Sequence, residues 1–329
     1  MNLSITNECT RRCEYCFQKS WYLSKSKDDI KEMSLDTIEK IFEWMGEEKH
    51  TSIMGGEPLF HSKILDIFDL ALKKEKTINV ISNISCDYDL LKSILETYSN
   101  EKPITSWLIN TDYPEHQKDL FLKNFSLFHD NNTFSLSTTL LPDSKKIEES
   151  ADRINELLDM LDDRSGVRIR ISPMAPNHLS NYKIYDYSLD ALNFISKIWD
   201  KGLCKVGFDC TVNACEINPV VFDALKKPEY KKYISKINTA TCRGSGPFDI
   251  LVDNSIIYCS SCNFIKLNNF MDYECLNDAR DAMYSKWEHY WKSTQLSCDY
   301  KKCEHFNPAV CMGVCAAKNE VIRRCNINV

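Results

Sequence analysis

The sequence predicts an α/β fold followed by a small cysteine-rich α+β extension, and three observations carry that reading. Strand-like and helix-like segments alternate from the start of the chain to about residue 208. The alternation stops at residue 209, and cysteines are dense from there to Cys325. The two most distinctive loops, one with three cysteines and one with paired glycines, each lie just past a strand-like stretch. Loops at the carboxyl ends of parallel strands are where such folds gather their chemistry.

Strands are expected over Leu3–Thr6, Ser52–Met54, Ile78–Ser82, Trp107–Asn110, Phe134–Thr138, Val167–Ile171 and Lys205–Phe208. Helical spacing of apolar residues predicts helices over Leu35–Met45, Lys63–Lys74, Tyr88–Tyr98, Glu115–Phe128, Ile147–Leu161 and Leu189–Trp199. Asp36 and Asp190 stand near first turns, where a carboxylate suits the helix dipole. Ser34 is placed to cap the first helix, with Thr37 where a reciprocal glutamate would complete a capping box. Strands separated by helices imply right-handed crossovers and a parallel sheet. In the extension, Phe248–Val252 and Ile256–Tyr258 read as a hairpin turning at Asp253-Asn254, a pair that tolerates left-handed backbone. Asp278–Trp291 reads as a helix. Internal repeats, low-complexity segments and long linkers are not evident.

Composition narrows the class. An apolar content of 43% is ordinary for a globular chain, and 329 residues suffice for one large domain and a smaller one. No apolar run is long enough to span a bilayer, and the N-terminus enters a strand rather than a signal peptide. A net charge of -6 gives no global attraction to nucleic acid, leaving only a local basic groove open. Nucleic acid and membrane are therefore not expected partners. With no export signal, 16 cysteines point to the reducing cytoplasm and to metal ligation rather than disulfides. Cys86, Cys204 and Cys275 stand apart from the groups and are expected to be buried free thiols.

The first group reads Cys9-Thr-Arg-Arg-Cys13-Glu-Tyr-Cys16-Phe17. Three thiols in one short loop can hold an iron–sulfur cluster while leaving one iron open to a ligand. A structural zinc site is the alternative; it needs a fourth ligand nearby and leaves the later glycines without a role. Those glycines lie in Ser52-Ile-Met-Gly55-Gly56-Glu57-Pro58, a strand ending in a diglycine and a carboxylate. Glycines there let backbone approach a ligand closely.

With these two motifs the chain resembles the radical S-adenosylmethionine (SAM) enzymes. The resemblance implies a partial (β/α)6 barrel over residues 1–208, a 4Fe-4S cluster on Cys9, Cys13 and Cys16, and SAM on its open iron. It implies that Tyr15, Gly55, Gly56 and Glu57 contact SAM, with Glu57 holding the amino group. Ser82 and Asn83 end the third strand where the family has a polar pair near the ribose, although Ile84 stands where glycine is usual. Asn110 and Asp112 resemble a second polar pair, with serine commoner at the first place. Lys118 and Lys123 are the basic candidates for the SAM carboxylate, or else part of a solvated helix face. Arg168 and Arg170 share one strand face and are candidates for a ligand, a carboxylate partner or a rim position.

The later cysteines Cys242, Cys259, Cys262, Cys298, Cys303, Cys311, Cys315 and Cys325 resemble the auxiliary-cluster extensions known as SPASM and twitch, here residues 209–329. Of these, only Cys259 and Cys262 have zinc-ribbon spacing. The resemblance implies one or two auxiliary 4Fe-4S clusters. It departs from the pattern at Ser255, where the hairpin has glycine, and in the long spacing from Cys298 to Cys311. Cys210 and Cys215 could ligate a cluster, donate a hydrogen atom or simply pack. Asp209 could act as a base or be a solvated loop residue.

Enzymes of this build commonly modify peptides, so the leading expectation is hydrogen abstraction from a peptide, giving a cross-link, thioether, epimer or oxidised side chain. The barrel begins at residue 2, so peptide recognition is expected from barrel loops, the extension or a separate leader-peptide-binding protein. An electron donor such as flavodoxin or ferredoxin is expected as a further partner. The rivals are oxidation of a small molecule such as an aminocyclitol and a non-catalytic metal- or cluster-binding module.

Overall fold

The computed structural model describes residues 1–16, 31–98, 103–129, 133–141, 143–164, 166–173, 184–199, 205–208, 248–259 and 262–293. In chain order the elements are β1 (Asn2–Thr6), α1 (Leu35–Trp44), β2 (His50–Gly55), α2 (Ile64–Lys73), β3 (Thr77–Ser82), α3 (Tyr88–Tyr98), β4 (Ile104–Asn110) and α4 (Lys118–Phe125). They continue with β5 (Phe134–Leu140), α5 (Ser144–Asp159), β6 (Arg168–Pro173), α6 (Ile184–Trp199) and β7 (Lys205–Phe208). Last come β8 (Asp249–Ile250), β9 (Ile256–Ile257), β10 (Lys266–Leu267) and α7 (Leu276–Ser293). The fold is α/β with a parallel sheet core, as the alternation predicts.

Two compact units divide the chain, and the first comprises Met1–Ser135 with Gly244–Glu288. Here β1 to β4 pair in parallel in chain order. Parallel neighbours require a crossover, which α1, α2 and α3 supply. Each helix buries one stripe at three- and four-residue spacing: Ile38, Ile41 and Phe42; Ile64, Ile67, Phe68 and Ala71; Leu91, Ile94, Leu95 and Tyr98. Each such side chain contributes about 1.5–3 kcal/mol when fully buried. The predicted cap is present: the Ser34 hydroxyl accepts from the Thr37 amide at 3.2 Å. β1 is buried on both faces from Leu3 to Thr6, as expected of a central parallel strand.

The predicted hairpin forms, with Asn254 at φ 68° and the Asp253 carboxylate accepting from the Ser255 amide at 3.1 Å. Its place in the fold is not legible from the sequence. β8 pairs in parallel with the free edge of β1, Asn2 opposite Asp249, and β9 and β10 follow antiparallel. The Trp44 indole donates to the Tyr273 carbonyl at 2.9 Å and its ring meets Phe270 at 5.5 Å, fixing this segment against α1.

The helix expected over Glu115–Phe128 is α4 flanked by 3-10 turns, Glu115–Gln117 and Ser126–Phe128, a tightening common at helix ends. Phe121, Phe125, Phe128, Trp107 and Phe134 form an aromatic core beneath it.

In the described part of the second unit, β6 and β7 pair in parallel from Arg168 opposite Lys205 to Ile171 opposite Phe208. α5 and α6 pack on each other, and Glu148 pairs with Lys197 between them. α5 begins at Ser144 rather than Ile147 because the Asp143 carboxylate caps the Lys145 and Lys146 amides. Cys86 is buried as expected; Cys275 is half-buried because it lies just before α7; Cys204 lies outside the described residues. No helix among the described residues is long and apolar enough to cross a membrane.

Candidate active site

The site is built where β1 and β2 end. Their register shifts between Ser4 and Thr6, which leaves one extra residue on β1 and turns the chain into the cysteine loop. Gly55 and Gly56 lie against that turn. The Gly56 amide donates to the Thr6 carbonyl at 2.8 Å, and the Glu57 amide to the Glu8 carbonyl at 2.7 Å. A Cβ on Gly55, whose φ is +144°, would stand 2.3 Å from the Thr6 oxygen; one on Gly56 would stand 2.2 Å from the Glu8 oxygen. The diglycine thus brings the Glu57 turn and the cysteine loop into backbone contact. The sequence suggests a ligand as the reason for the close approach; the neighbouring loop already requires it.

Glu57 is fully buried. Its carboxylate accepts from the Ser82 hydroxyl at 2.7 Å, the Asn83 amide at 2.7 Å and the Leu59 amide at 3.2 Å. Burial raises its pKa, against the pull of these donors and of Arg11. Three of about four acceptor positions are used, which leaves one for a further donor. Ser82 and Asn83, picked out as a polar pair at the end of β3, are therefore brought to Glu57. The Asn83 side-chain amide also donates to the Cys9 sulfur at 3.7 Å.

Arg11, inside the cysteine loop, was not singled out by the sequence reading. It is 6% exposed. One terminal nitrogen donates to the Asn110 carbonyl at 3.1 Å and to the Asn110 side-chain oxygen at 3.0 Å. The other donates to the Asn83 carbonyl at 2.8 Å and the Ser85 hydroxyl at 3.2 Å. The guanidinium also lies over the Phe121 ring, 5.5 Å from its centre. Arg11 thereby fastens the loop to the ends of β3 and β4. A long cationic side chain between two cysteines is its only signal in the sequence.

Tyr15 donates to Asp112 at 2.7 Å, so these two candidates also meet, and the Asp112 amide donates to the Asn110 side-chain oxygen at 3.1 Å. Burial, then the Asp112 charge, holds the Tyr15 hydroxyl well above the usual phenol range. Burial likewise pushes the Cys9 thiol up to about 11 and raises Cys13, although the Tyr15 hydroxyl beside Cys13 works the other way. Ile84, where the resemblance implies glycine, has φ 49° and is fully buried. Such backbone is an outlier for a β-branched residue. It is held by the Ser82 hydroxyl on its amide and by buried Asn124, which donates to the Ile84 and Cys86 carbonyls at 2.7 and 2.9 Å.

Lys118 opens α4 half-buried, and Lys123 is exposed with its ammonium 4.3 Å from the centre of the Tyr88 ring. Arg168 and Arg170 share a face of β6 in the second unit, the first exposed and the second half-buried. The Cys262 amide donates to the Cys259 carbonyl at 2.8 Å, so these two thiol-bearing residues are held together. Phe17, Asp209, Cys210, Cys215, Cys242, Cys298, Cys303, Cys311, Cys315 and Cys325 lie outside the described residues.

Among the described residues, no three His, Cys, Asp or Glu side chains converge where one metal ion could sit. A cubane cluster makes a different demand, one thiolate per iron, and the donor chemistry of the loop suits it: three thiols, an amide donor on one sulfur, and a buried guanidinium.

Residues 3–120 match the model of the Radical SAM superfamily. The chain carries a radical SAM domain. The match takes in the cysteine loop, the diglycine turn and the ends of β3 and β4. Among solved structures, Streptococcus suis SuiB bound to precursor peptide SuiA is similar, at 14% identity and a TM-score of 0.64, covering 96% of this chain and 71% of that one. SuiB bound to S-adenosylmethionine gives 14% identity and a TM-score of 0.62, covering 96% and 72%. At this identity the likeness is one of fold. No curated protein matches the chain.

Proposed function

We propose that this chain is a radical SAM enzyme that reductively cleaves SAM and abstracts hydrogen from a peptide. The observation that carries the reading is the joining of the three-cysteine loop, the diglycine turn and the buried Glu57 into one hydrogen-bonded unit within the radical SAM domain. When bound, the cluster on Cys9, Cys13 and Cys16 supplies the electron that cleaves SAM, and SAM supplies the hydrogen-abstracting 5′-deoxyadenosyl group.

This chain's own residues hold and orient. Glu57 offers its remaining acceptor position to the SAM ammonium; Ser82, Asn83 and Leu59 keep the carboxylate fixed and charged. Asn110, Asp112 and Tyr15 are the candidates for the nucleoside and carboxylate, with Lys118 a cationic candidate on α4. Asn83 restrains Cys9 through its sulfur. In the extension, residues 209–329, Cys242, Cys259, Cys298, Cys303, Cys311, Cys315 and Cys325, with Cys262 or the Cys210/Cys215 pair, would hold one or two auxiliary clusters, which would supply an electron acceptor for the substrate radical. A reducing cytoplasm and a flavodoxin- or ferredoxin-type donor suit such a set of thiolates.

A peptide substrate is favoured by the fold likeness to SuiB over 96% of this chain, since SuiB was solved with a precursor peptide bound. Mass spectrometry of 5′-deoxyadenosine formed with deuterated candidate peptides tests the reading. Deuterium in the product is expected. SAM cleavage with deuterium from no peptide, but from a small-molecule substrate, would overturn the peptide assignment.

A further inference from the structure

We infer that Arg11 tunes the reduction potential of the SAM-binding cluster, its fixed charge stabilising the reduced form. The inference rests on the cluster proposed above at Cys9, Cys13 and Cys16.

Buried charges are almost always matched by an opposite charge in contact. Arg11 departs from that rule. It is 6% exposed, yet its four bonded acceptors are all neutral: two carbonyls, one side-chain amide oxygen and one hydroxyl. Among the described residues no carboxylate lies within salt-bridge distance of it. Glu57 is occupied by Ser82, Asn83 and Leu59, and Asp112 accepts from Tyr15. The fifth donor of the guanidinium, its Nε–H, is buried and has no partner. A donor left in that state is unfavourable unless a ligand brings an acceptor. The buried charge and the unpaired donor together fit an anionic ligand next to the cysteine loop.

A cluster core with its three thiolates would be such an anion. Reduction adds one electron from an external one-electron donor, with no proton needed, so the core becomes more negative by one charge. A cation held nearby in a poorly solvated site stabilises the reduced form more than the oxidised one. Arg11 stands between Cys9 and Cys13 in the cysteine loop. Being a guanidinium, it keeps its charge throughout. The four bonds to β3 and β4 fix where that charge sits.

The test is an anaerobic redox titration with dithionite, followed by electron paramagnetic resonance, on the reconstituted wild type, Arg11→Lys and Arg11→Gln. The cluster in question is the one whose signal changes when SAM is added. If the wild type shows no such signal, the cluster assignment itself fails. Given the signal, Arg11→Lys is expected to titrate near the wild type and Arg11→Gln at lower potential. Iron kept by Arg11→Lys and lost by Arg11→Gln would assign the charge to holding the cluster in either oxidation state, and overturns the inference. An unchanged potential in Arg11→Gln overturns it, as does an equal shift in both variants or loss of the signal from both. Weaker SAM binding at unchanged potential would assign the charge to the SAM carboxylate instead, and overturns it too.

Discussion

Replacing Glu57 with glutamine tests the centre of the site, and the structure sets the scale. The carboxylate takes Ser82 and Leu59 on one oxygen and Asn83 on the other. Glutamine keeps two of the three bonds by placing its oxygen toward Ser82 and Leu59. Its amide nitrogen then faces the Asn83 amide, donor against donor. One charge-assisted bond is lost, about 1.5–3 kcal/mol, and a buried N–H is left unpaired, about 1–3 kcal/mol. Part of this is offset, because burial disfavours the charged carboxylate and the glutamine carries no charge. A net destabilisation of about 2–4 kcal/mol is expected in urea unfolding followed by circular dichroism. SAM affinity should fall about 10- to 100-fold by calorimetry, because the remaining acceptor position lies on the oxygen that takes Asn83 and becomes an N–H donor in the variant. A variant with the wild-type unfolding midpoint and wild-type SAM affinity would refute the reasoning.

Changing Cys9, Cys13 and Cys16 together to alanine should abolish 5′-deoxyadenosine formation while leaving the iron of the extension, measured by iron analysis of the same sample. Gly56→Ala forces a Cβ to within 2.2 Å of the Glu8 carbonyl oxygen, which is itself bonded to the Glu57 amide at 2.7 Å. A loss of about 3–5 kcal/mol is expected, with reduced iron uptake at the first site; a fully loaded and equally stable variant would show that the contact can relax. Asn124→Leu keeps the branched shape, in a larger side chain, but removes the donors to the Ile84 and Cys86 carbonyls. About 2–4 kcal/mol should be lost in the same unfolding assay, and an unchanged midpoint would mean that the two carbonyls find other partners.

The first unit's β/α elements were legible because each carries its own period: buried stripes at three- and four-residue spacing in α1 to α3, and short apolar runs in β1 to β4. The cysteine loop and Gly55-Gly56-Glu57 were legible as motifs, since cluster ligation and close backbone approach demand particular residue types at short spacing. The partners of those residues were not. That Glu57 is shared among Ser82, Asn83 and Leu59 depends on where three chain segments end in space. Arg11 looks like any loop arginine until β3 and β4 bring Asn83, Ser85 and Asn110 around it. The hairpin at Asp253-Asn254 was written locally in turn chemistry, but its pairing with β1 joins residues 2 and 249, and no local pattern encodes a partner that distant. Local periodicity and motif spacing are short-range physics and can be read along the chain. Which buried charge lacks an opposite charge, and which strand edge is still free, are properties of packing, and only the tertiary structure decides them.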